Sequence, residues 1–322
     1  MKLAVTIDVE EEGLFCGRYD SGPAAAENIR RLKLLEPIFQ EWCIRPTLLV
    51  SYQAARRPAD LDFLGALKEK WRAEIGGHLH PWNTPPLAEL PDPEPVPSEK
   101  MPRELLSAKI DTLFAALKPL TGPPASFRMG RFNFGPKLLG LLEEKGLLVD
   151  SSVAPMREYP GGPAHLSAPT DPYFPDAARP LCPGGSRVLE VPVTILPLTP
   201  RLGLWLDKLG RGGIPPRRLL TGLGMYLGSL SAQPMGSAFE VMRAAVRRHR
   251  RRGGRVVTFY FHSSELVPGA SPQVPTRGHV ERFVQKIDRF ISWLRLEMNA
   301  QPLTLAELYA WRGQVVLGKK AV

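Results

Sequence analysis

Two histidines one residue apart, His78 and His80 in the segment EIGGHLHPW, are the clearest sign of metal chemistry in this chain. Side chains at positions i and i+2 of an extended strand point to the same face, so two imidazoles at this spacing can reach one ion. Such a pair is also typical of a polar strand end, where each ring is only hydrogen-bonded. A metal site therefore needs a carboxylate from elsewhere in the chain.

Other polar residues follow apolar runs in the same way. These runs end in TIDVEEE, FRMGR, VDSS and FYFHSSE. Because ligands of parallel α/β folds bind beyond the carboxyl ends of the strands, we expect these polar residues to converge. The candidate site comprises Asp8, Glu10, His78, His80, Arg128, Asp150 and His262. Asp8 and Glu10 share a face if the strand continues, so one could bind a metal while the other transfers protons; Glu11 and Glu12 are alternative ligands.

The elements that must position these residues alternate between strand and helix, which predicts a parallel α/β sheet. Strands are predicted at 3–8, 47–51, 126–129, 147–151, 188–194 and 255–262, and a further strand is predicted to end at His78–His80. Helices are predicted at about 24–42, 61–71, 103–117, 136–144 and 280–296. Seven strand candidates without an internal repeat favour one barrel domain over residues 1–322 rather than two smaller domains.

Residues 196–236 interrupt the alternation, because this segment is apolar, basic and rich in glycine and proline at once. Short helices packed on the barrel mouth are one interpretation. A lid or an amphipathic segment that contacts a membrane is the other.

The net charge of +10 favours acidic partners. Part of the excess positive charge lies in the stretch Arg247–Arg255. These cations could simply stabilise the C-terminus of a helix, or they could contact an anionic membrane surface. Nucleic acid is not expected, because no recognised nucleic-acid module is present. The N-terminus resembles neither a signal peptide nor a membrane span, so we expect a cytoplasmic protein, with peripheral attachment to the inner membrane face as an option.

In order and content, these motifs resemble those of the polysaccharide deacetylase family, the NodB homology domain. The resemblance covers about residues 3–265: an acidic first motif, a two-histidine second, an Arg-containing third, an Asp-containing fourth and a late histidine. The chain looks closest to a branch with GHLHPW and FHSSEL motifs. Membership implies a distorted (β/α)7 barrel, here with the insertion at 196–236, and metal-dependent deacetylation of N- or O-acetylated sugars.

Carried over residue by residue, the resemblance implies Asp8 as general base, Arg128 as the residue that orients it and His262 as general acid. It implies Asp150 as the fourth-motif acid, and Glu10, His78 and His80 as ligands of a divalent metal. Zinc is the expected ion, with cobalt, manganese, iron or nickel as alternatives. The expected substrate is an acetylated sugar or sugar-lipid that serves as a precursor of a surface polysaccharide or glycolipid.

Two departures from the family pattern keep other interpretations open. The paired histidines stand closer together than is usual in the family, and a glutamate replaces the usual aspartate. A catalytically silent sugar-binding or assembly protein on the same barrel is the alternative, and a hydrolase of non-sugar amides is a third. His165, His249 and His279 are expected at the surface, and Glu190 could reach the barrel mouth but has no assigned role.

Overall fold

The computed structural model describes residues 1–319 apart from 18, 20–26, 93, 160–161, 211–221, 223 and 226. Its strands are β1 (Lys2–Val9), β2 (Thr47–Ser51), β3 (Glu74–Leu79), β4 (Ser126–Met129), β5 (Val149–Asp150), β6 (Leu189–Glu190), β7 (Ile195–Pro197), β8 (Ser229–Ser231), β9 (Val256–His262) and β10 (Gln301–Pro302). Its helices are α1 (Glu27–Arg31), α2 (Glu36–Glu41), α3 (Tyr52–Ala55), α4 (Pro58–Trp71), α5 (Arg103–Thr121), α6 (Pro136–Glu144), α7 (Leu202–Gly210), α8 (Phe239–Arg251), α9 (Arg277–Leu296) and α10 (Leu305–Lys319).

A curled parallel sheet in the order β9, β1, β2, β3, β4, β5, β6 forms the centre of the fold. The short β10 pairs with Lys2 and Leu3, beside the start of β1. In the described residues no ladder joins β6 to β9, but Thr194 N donates to Thr258 O at 3.1 Å and Thr258 N donates to Thr194 Oγ1 at 2.8 Å. The prediction of a distorted seven-stranded β/α barrel is therefore confirmed.

The central strands are apolar because helices or the barrel interior cover both of their faces. Seven of the eight residues of β1 and all of β2 are buried. Helix α9 covers the sheet with the stripe that its three- and four-residue spacing predicts, including Phe283, Ile287 and Phe290.

The first predicted helix differs most from the observed structure. The helix predicted at 24–42 is broken: α1 ends at Arg31, a 3₁₀ turn covers Leu32–Leu35, and α2 follows with Pro37 in its first turn. Proline lacks the N–H that a continuous helix would need and its ring clashes with the preceding turn, so the helix restarts there. Residues 24–26 of this prediction lie outside the described residues.

The predicted insertion is built on an antiparallel pair, β7 with β8, that encloses α7. Helix α7 agrees with the interpretation of short helices, whereas the strand pair was not predicted. Leu204, Trp205 and Leu227 expose 54%, 58% and 74% of their surface. Residues 211–221, 223 and 226 of the insertion lie outside the described residues. Nowhere in the described chain is a helix both long enough and apolar enough to cross a bilayer.

Part of the arginine cluster at the end of α8 serves the fold itself. Arg248 donates to Leu198 O, and Arg252 donates to Pro197 O at 2.8 Å and to Leu198 O at 3.1 Å. These bonds tie the C-terminal end of α8 to the last residue of β7 and to Leu198, which follows it.

The expectation that His165 and His249 lie at the surface is wrong. His165 is fully buried and its Nδ1 accepts a hydrogen bond from Ala154 N at 3.1 Å. His249 is also buried, with Nε2 at 2.9 Å from Val256 O and 3.2 Å from Asp171 Oδ1. His165 lies in an irregular segment, which has no periodic signal in the sequence. His249 continues the buried stripe of Met242, Ala245 and Val246 on α8, so the helical period placed it on the buried face and the expectation overlooked that signal.

Candidate metal centre and active site

Glu10, His78 and His80 converge where β1 and β3 end. The Nε2 atoms of the two histidines lie 2.9 Å apart, and each is 3.3 Å from Glu10 Oε2. One donor atom from each residue lies within 4.8 Å of the others, and all three residues are buried. Zinc bonds of about 2.0–2.1 Å give ligand-to-ligand distances of about 3.3 Å in a tetrahedron and about 2.9 Å in an octahedron. The observed distances therefore fit a divalent ion of this size.

The far nitrogens of the two histidines have partners of their own. His78 Nδ1 lies 3.0 Å from Arg128 O, and His80 Nδ1 lies 2.8 Å from Glu11 Oε1. A donor–acceptor bond at Nδ1 fixes the tautomer and leaves the Nε2 lone pair for a metal. Both rings are thus held with their ligand atoms turned toward Glu10.

The geometry separates the three glutamates of TIDVEEE, which are Glu10, Glu11 and Glu12. Glu10 faces both Nε2 atoms, whereas Glu11 contacts the opposite side of the His80 ring and also accepts hydrogen bonds from Ser51 Oγ at 3.2 Å and from Asn83 Nδ2. Glu12 accepts from Asn28 N at 3.1 Å. Glu10 is the ligand candidate among the three, and Glu11 orients a ligand.

Charges around the centre oppose the effect of burial. Burial disfavours the Glu10 carboxylate, but His262 and hydrogen bonds from His78 and His80 outweigh it and hold the pKa of Glu10 well below its usual range. Burial likewise lowers the pKa of His80, but Glu11 and Glu10 together raise it to about 10. In the metal-free protein His80 is therefore protonated at neutral pH, and a metal must displace that proton.

Arg128 is fully buried and holds Asp8 in place. Its Nη1 donates to Asp8 Oδ1 at 2.6 Å, and its Nε donates to Ser151 O at 2.8 Å. The other terminal nitrogen, Nη2, donates to Thr6 Oγ1 at 3.0 Å and to Ser151 Oγ at 2.8 Å. These bonds fix the guanidinium group, which bonds to Asp8 through Oδ1 and not through Oδ2.

That second oxygen, Asp8 Oδ2, lies 3.7 Å from His262 Nε2. His262 Nδ1 lies 3.4 Å from Glu265 Oε1, and its backbone N–H donates to the other oxygen of Glu265 at 3.1 Å. Burial lowers the pKa of His262, but Glu10, Glu265 and Asp8 raise it to about 9. The ring is an imidazolium at neutral pH, with Nε2 toward the centre.

Asp150 lies behind Arg128 and not among the residues that line the cleft. Its carboxylate accepts from Ser152 Oγ at 2.7 Å and from Ser152 N at 3.0 Å, beside Glu190 on the neighbouring strand. Burial raises the pKa of both acids, and the nearby Asp150 charge raises that of Glu190 well above its usual value. Glu190 is therefore the protonated partner of the pair. Together they hold the turn from which Ser151 reaches Arg128.

A cleft of about 470 Å³ opens over the centre. Asp8, Glu10, His78, His80 and His262 all line it. Its walls are aromatic: they include Phe15, Tyr19, Trp82, Phe132, Tyr159 and Tyr260. The Trp82 ring stacks on His80 with centroids 4.4 Å apart, and Phe15 meets His262 edge-on at 5.0 Å.

Sequence reasoning quoted Trp82 within GHLHPW but gave it no role, and it did not find Tyr19 or Tyr159. A tryptophan two residues after His80 was a usable signal. The two tyrosines come from irregular segments without periodicity, so only the folded chain reveals them.

Neither the family models nor the curated proteins contain a match to this chain. Solved structures do match. A provisionally assigned polysaccharide deacetylase from Mycobacterium smegmatis has a TM-score of 0.57 at 19% identity, with 97% of this chain and 90% of that chain covered. A provisionally assigned glycoside hydrolase/deacetylase from Parabacteroides distasonis has a TM-score of 0.64 at 14% identity, with 97% and 71% covered. This likeness shows the fold.

A GH57 branching enzyme from Thermococcus kodakaraensis also matches, with a TM-score of 0.51 at 11% identity, covering 95% of this chain and 70% of the enzyme. The same barrel therefore carries more than one reaction. The shared fold therefore does not determine which reaction this chain catalyses.

Proposed function

We propose that this protein is a metal-dependent hydrolase that removes an acetyl group from an N- or O-acetylated carbohydrate. The observation that carries the proposal is the convergence of Glu10 Oε2 with the Nε2 atoms of His78 and His80 on the floor of an aromatic-walled cleft. Asp8, Arg128 and His262 lie beside these atoms and offer a base, a positioning group and an acid.

The two imidazoles and one carboxylate would hold the metal. A divalent ion bound there supplies a water of lowered pKa and a Lewis acid for the acetyl carbonyl. The mixed nitrogen and oxygen donor set favours zinc, and cobalt, nickel, iron or manganese could occupy the same three ligands.

Asp8 accepts the proton of the attacking water at Oδ2. Its other oxygen is fixed by the 2.6 Å bond from Arg128, so the carboxylate cannot rotate away from the reacting atoms. On this account Arg128 acts through Asp8, and Asp150 and Glu190 act through Ser151 as supports of Arg128.

His262 donates a proton to the departing amine or alcohol from Nε2. In the metal-free protein burial lowers the pKa of His262, but Glu10, Glu265 and Asp8 raise it to about 9. Glu265 and Asp8 are not metal ligands, so their carboxylates still favour the cationic ring, the form that an acid requires, when Glu10 binds the ion. Its Nδ1 contact with Glu265 holds Nε2 toward the cleft.

The finer parts of the proposal concern substrate and location. A sugar or sugar-lipid precursor is consistent with the aromatic walls and with the exposed Leu204, Trp205 and Leu227 on the neighbouring insertion. We propose that this apolar surface contacts an anionic membrane, and that the enzyme works at the cytoplasmic face. Flotation with vesicles of anionic and neutral lipid, beside a Trp205→Ser variant, tests the membrane contact.

The reaction is tested with chelator-stripped protein that is reloaded with one metal at a time. Acetate release is measured on a panel of N- and O-acetylated sugars for wild type, Asp8→Asn and the control Asp62→Asn, whose carboxyl group is exposed on α4. We expect turnover by wild type and the control, and a loss of about 100-fold or more in kcat with Asp8→Asn at unchanged metal content. Sugar binding without acetate release for any metal would favour a catalytically silent sugar-binding protein.

A further inference from the structure

Arg131 brings to the cleft wall a guanidinium that the proposed deacetylation does not use. It follows Gly130, which lies directly against the metal centre: a Cβ at that position would come within 2.6 Å of His80 Cδ2. Arg131 is therefore the chain neighbour of a residue that packs against the ligand His80. Its side chain lines the same cleft as Asp8 and His262.

Two tyrosines flank this guanidinium. Its central carbon lies 5.9 Å from the ring centroid of Tyr19 and 5.8 Å from that of Tyr159, within the range of cation–π contacts. In the described part of the chain, no carboxylate lies within ion-pair distance of Arg131. Its N–H donors therefore remain available, in contrast to those of Arg128, which are bonded to Asp8, Thr6 and Ser151.

The backbone under Arg131 is strained. Arg131 has φ 59° and ψ 20°, and the next residue, Phe132, has φ 51°. Two successive non-glycine residues in the left-handed region are uncommon, and such conformations cluster at functional sites. The fold thus directs an arginine into the cleft at a position where glycine would be less strained.

A second guanidinium group, that of Arg157, lies near Arg131 in the cleft. Arg157 lines the same cleft and is held by bonds from its Nη1 to Met156 O at 2.9 Å and to Ser229 Oγ at 3.0 Å. Glu158 also lines the cleft, and it is exposed to solvent. Arg131 and Arg157 thus bring two guanidinium groups to this part of the cleft, and Asp8 and Glu10 lie among its other lining residues.

We infer that Arg131 binds a phosphate group of the substrate, so that the substrate is an acetylated sugar carrying a phosphate ester away from its acetyl group. This inference rests on the proposed function and names its substrate class. A guanidinium binds phosphate through two parallel N–H···O bonds, and here the tyrosine contacts hold it in place. The cleft has the size of a small-molecule site, which suits one sugar phosphate unit. Nucleoside diphosphate and polyprenyl phosphate carriers share this chemistry.

Binding tests the inference without catalysis. The metal-free full chain is titrated calorimetrically with N-acetylhexosamine 1-phosphates of gluco, galacto and manno configuration, with the free sugars and with inorganic pyrophosphate. We expect wild type and the control Arg251→Gln, an exposed arginine at the end of α8, to bind at least one phosphorylated sugar about tenfold or more tightly than the free sugar. Arg131→Gln should abolish this preference and Arg131→Lys should retain part of it. Equal binding of the phosphorylated sugar by wild type and Arg131→Gln, or no preference in wild type, would overturn the inference.

Turnover by the metal-loaded enzyme separates this inference from the proposed function. For nucleoside-diphosphate-linked and polyprenyl-phosphate-linked N-acetyl sugars, we expect Arg131→Gln to lower kcat/KM about 10- to 100-fold, chiefly through KM, and to leave neutral acetyl sugars unaffected. The better of the two linked substrates identifies the carrier.

Acetate release that is indifferent to Arg131 on every substrate would overturn the inference and leave the deacetylase proposal intact. Phosphate binding that depends on Arg131, without acetate release for any metal, would overturn the deacetylase proposal and leave the phosphate-binding role of Arg131 intact.

Discussion

Replacing Glu11 by glutamine should weaken metal binding although Glu11 is not a ligand. The Glu11 carboxylate is buried and accepts three hydrogen bonds, of which the 2.8 Å bond from His80 Nδ1 fixes the ring that presents Nε2 to the metal. Glutamine keeps the shape but removes the charge, so this bond falls from charge-assisted strength, about 1.5–3 kcal/mol, to that of a neutral bond, about 0.5–1.5 kcal/mol. The difference of about 1–2 kcal/mol corresponds to a loss of about 5- to 30-fold in metal affinity, close to the range known for outer-shell partners of metal-binding histidines.

The affinity is measured by competition for zinc or cobalt with a chromophoric chelator, with circular dichroism as a check on folding. Glu12→Gln is the matched control, because the neighbouring carboxylate bonds to Asn28 N and not to a ligand histidine. Metal affinity of Glu11→Gln within twofold of wild type would refute the reasoning. Complete loss of binding, equal to that of Glu10→Gln, would show instead that Glu11 is a ligand.

Three further substitutions test the packing of His80, the loop that follows it and the buried His165. Gly130→Ala should displace His80 and lower metal affinity, because the new Cβ would lie 2.6 Å from His80 Cδ2. Gly185→Ala is the control, because open space surrounds that position, and it should leave metal affinity unchanged. Metal titration of both variants tests this prediction. Lys109→Met should destabilise the fold by about 2–4 kcal/mol in urea unfolding, since the buried ammonium donates to Pro81 O, Thr84 O and Pro86 O and so fixes the loop after His80; unchanged stability would contradict this role. His165→Gln should make stability less sensitive to acid. Burial lowers the pKa of His165 to about 3, so between pH 6.5 and 3 the unfolded state binds a proton that the folded state does not, and stability is lost as the pH falls. This amounts to about 2 kcal/mol between pH 6.5 and 5, and equal losses in wild type and variant, measured by urea unfolding at pH 7 and 5, would argue against it.

The strand ends could be predicted from the sequence because two simple rules act there. Buried parallel strands appear as apolar runs, and the period of two in a strand puts His78 and His80 on one face. The choice among the three acids after β1 could not be predicted, because it depends on how the chain leaves the strand at Val9. Glu11 is adjacent to Glu10 in sequence but bonds to the other side of His80.

The acid pair behind Arg128 shows a second limit of sequence reasoning. Asp150 stands at a strand end, as predicted, but the register of β5 against β6 sets it opposite Glu190. Burial raises the pKa of both carboxyl groups, and the charge of Asp150 raises that of Glu190 further, so Glu190 holds the proton. The pair supports the turn at Ser151, which is a role that neither residue's local sequence indicates. The cleft aromatics Tyr19 and Tyr159 were missed for the related reason that loops carry no periodic pattern.

The most direct test of the central claim is the metal content of the purified protein at neutral pH, measured by elemental analysis after loading and removal of free ion. Wild type is compared with Glu10→Gln, His78→Ala and His80→Ala, and with His279→Ala as a control away from the cleft. We predict close to one divalent ion per chain in wild type and the control, and loss of that ion in each of the three variants. A wild type that cannot be loaded with zinc, cobalt, nickel, iron or manganese, or variants that keep the ion, would contradict the metal centre and the hydrolase built on it.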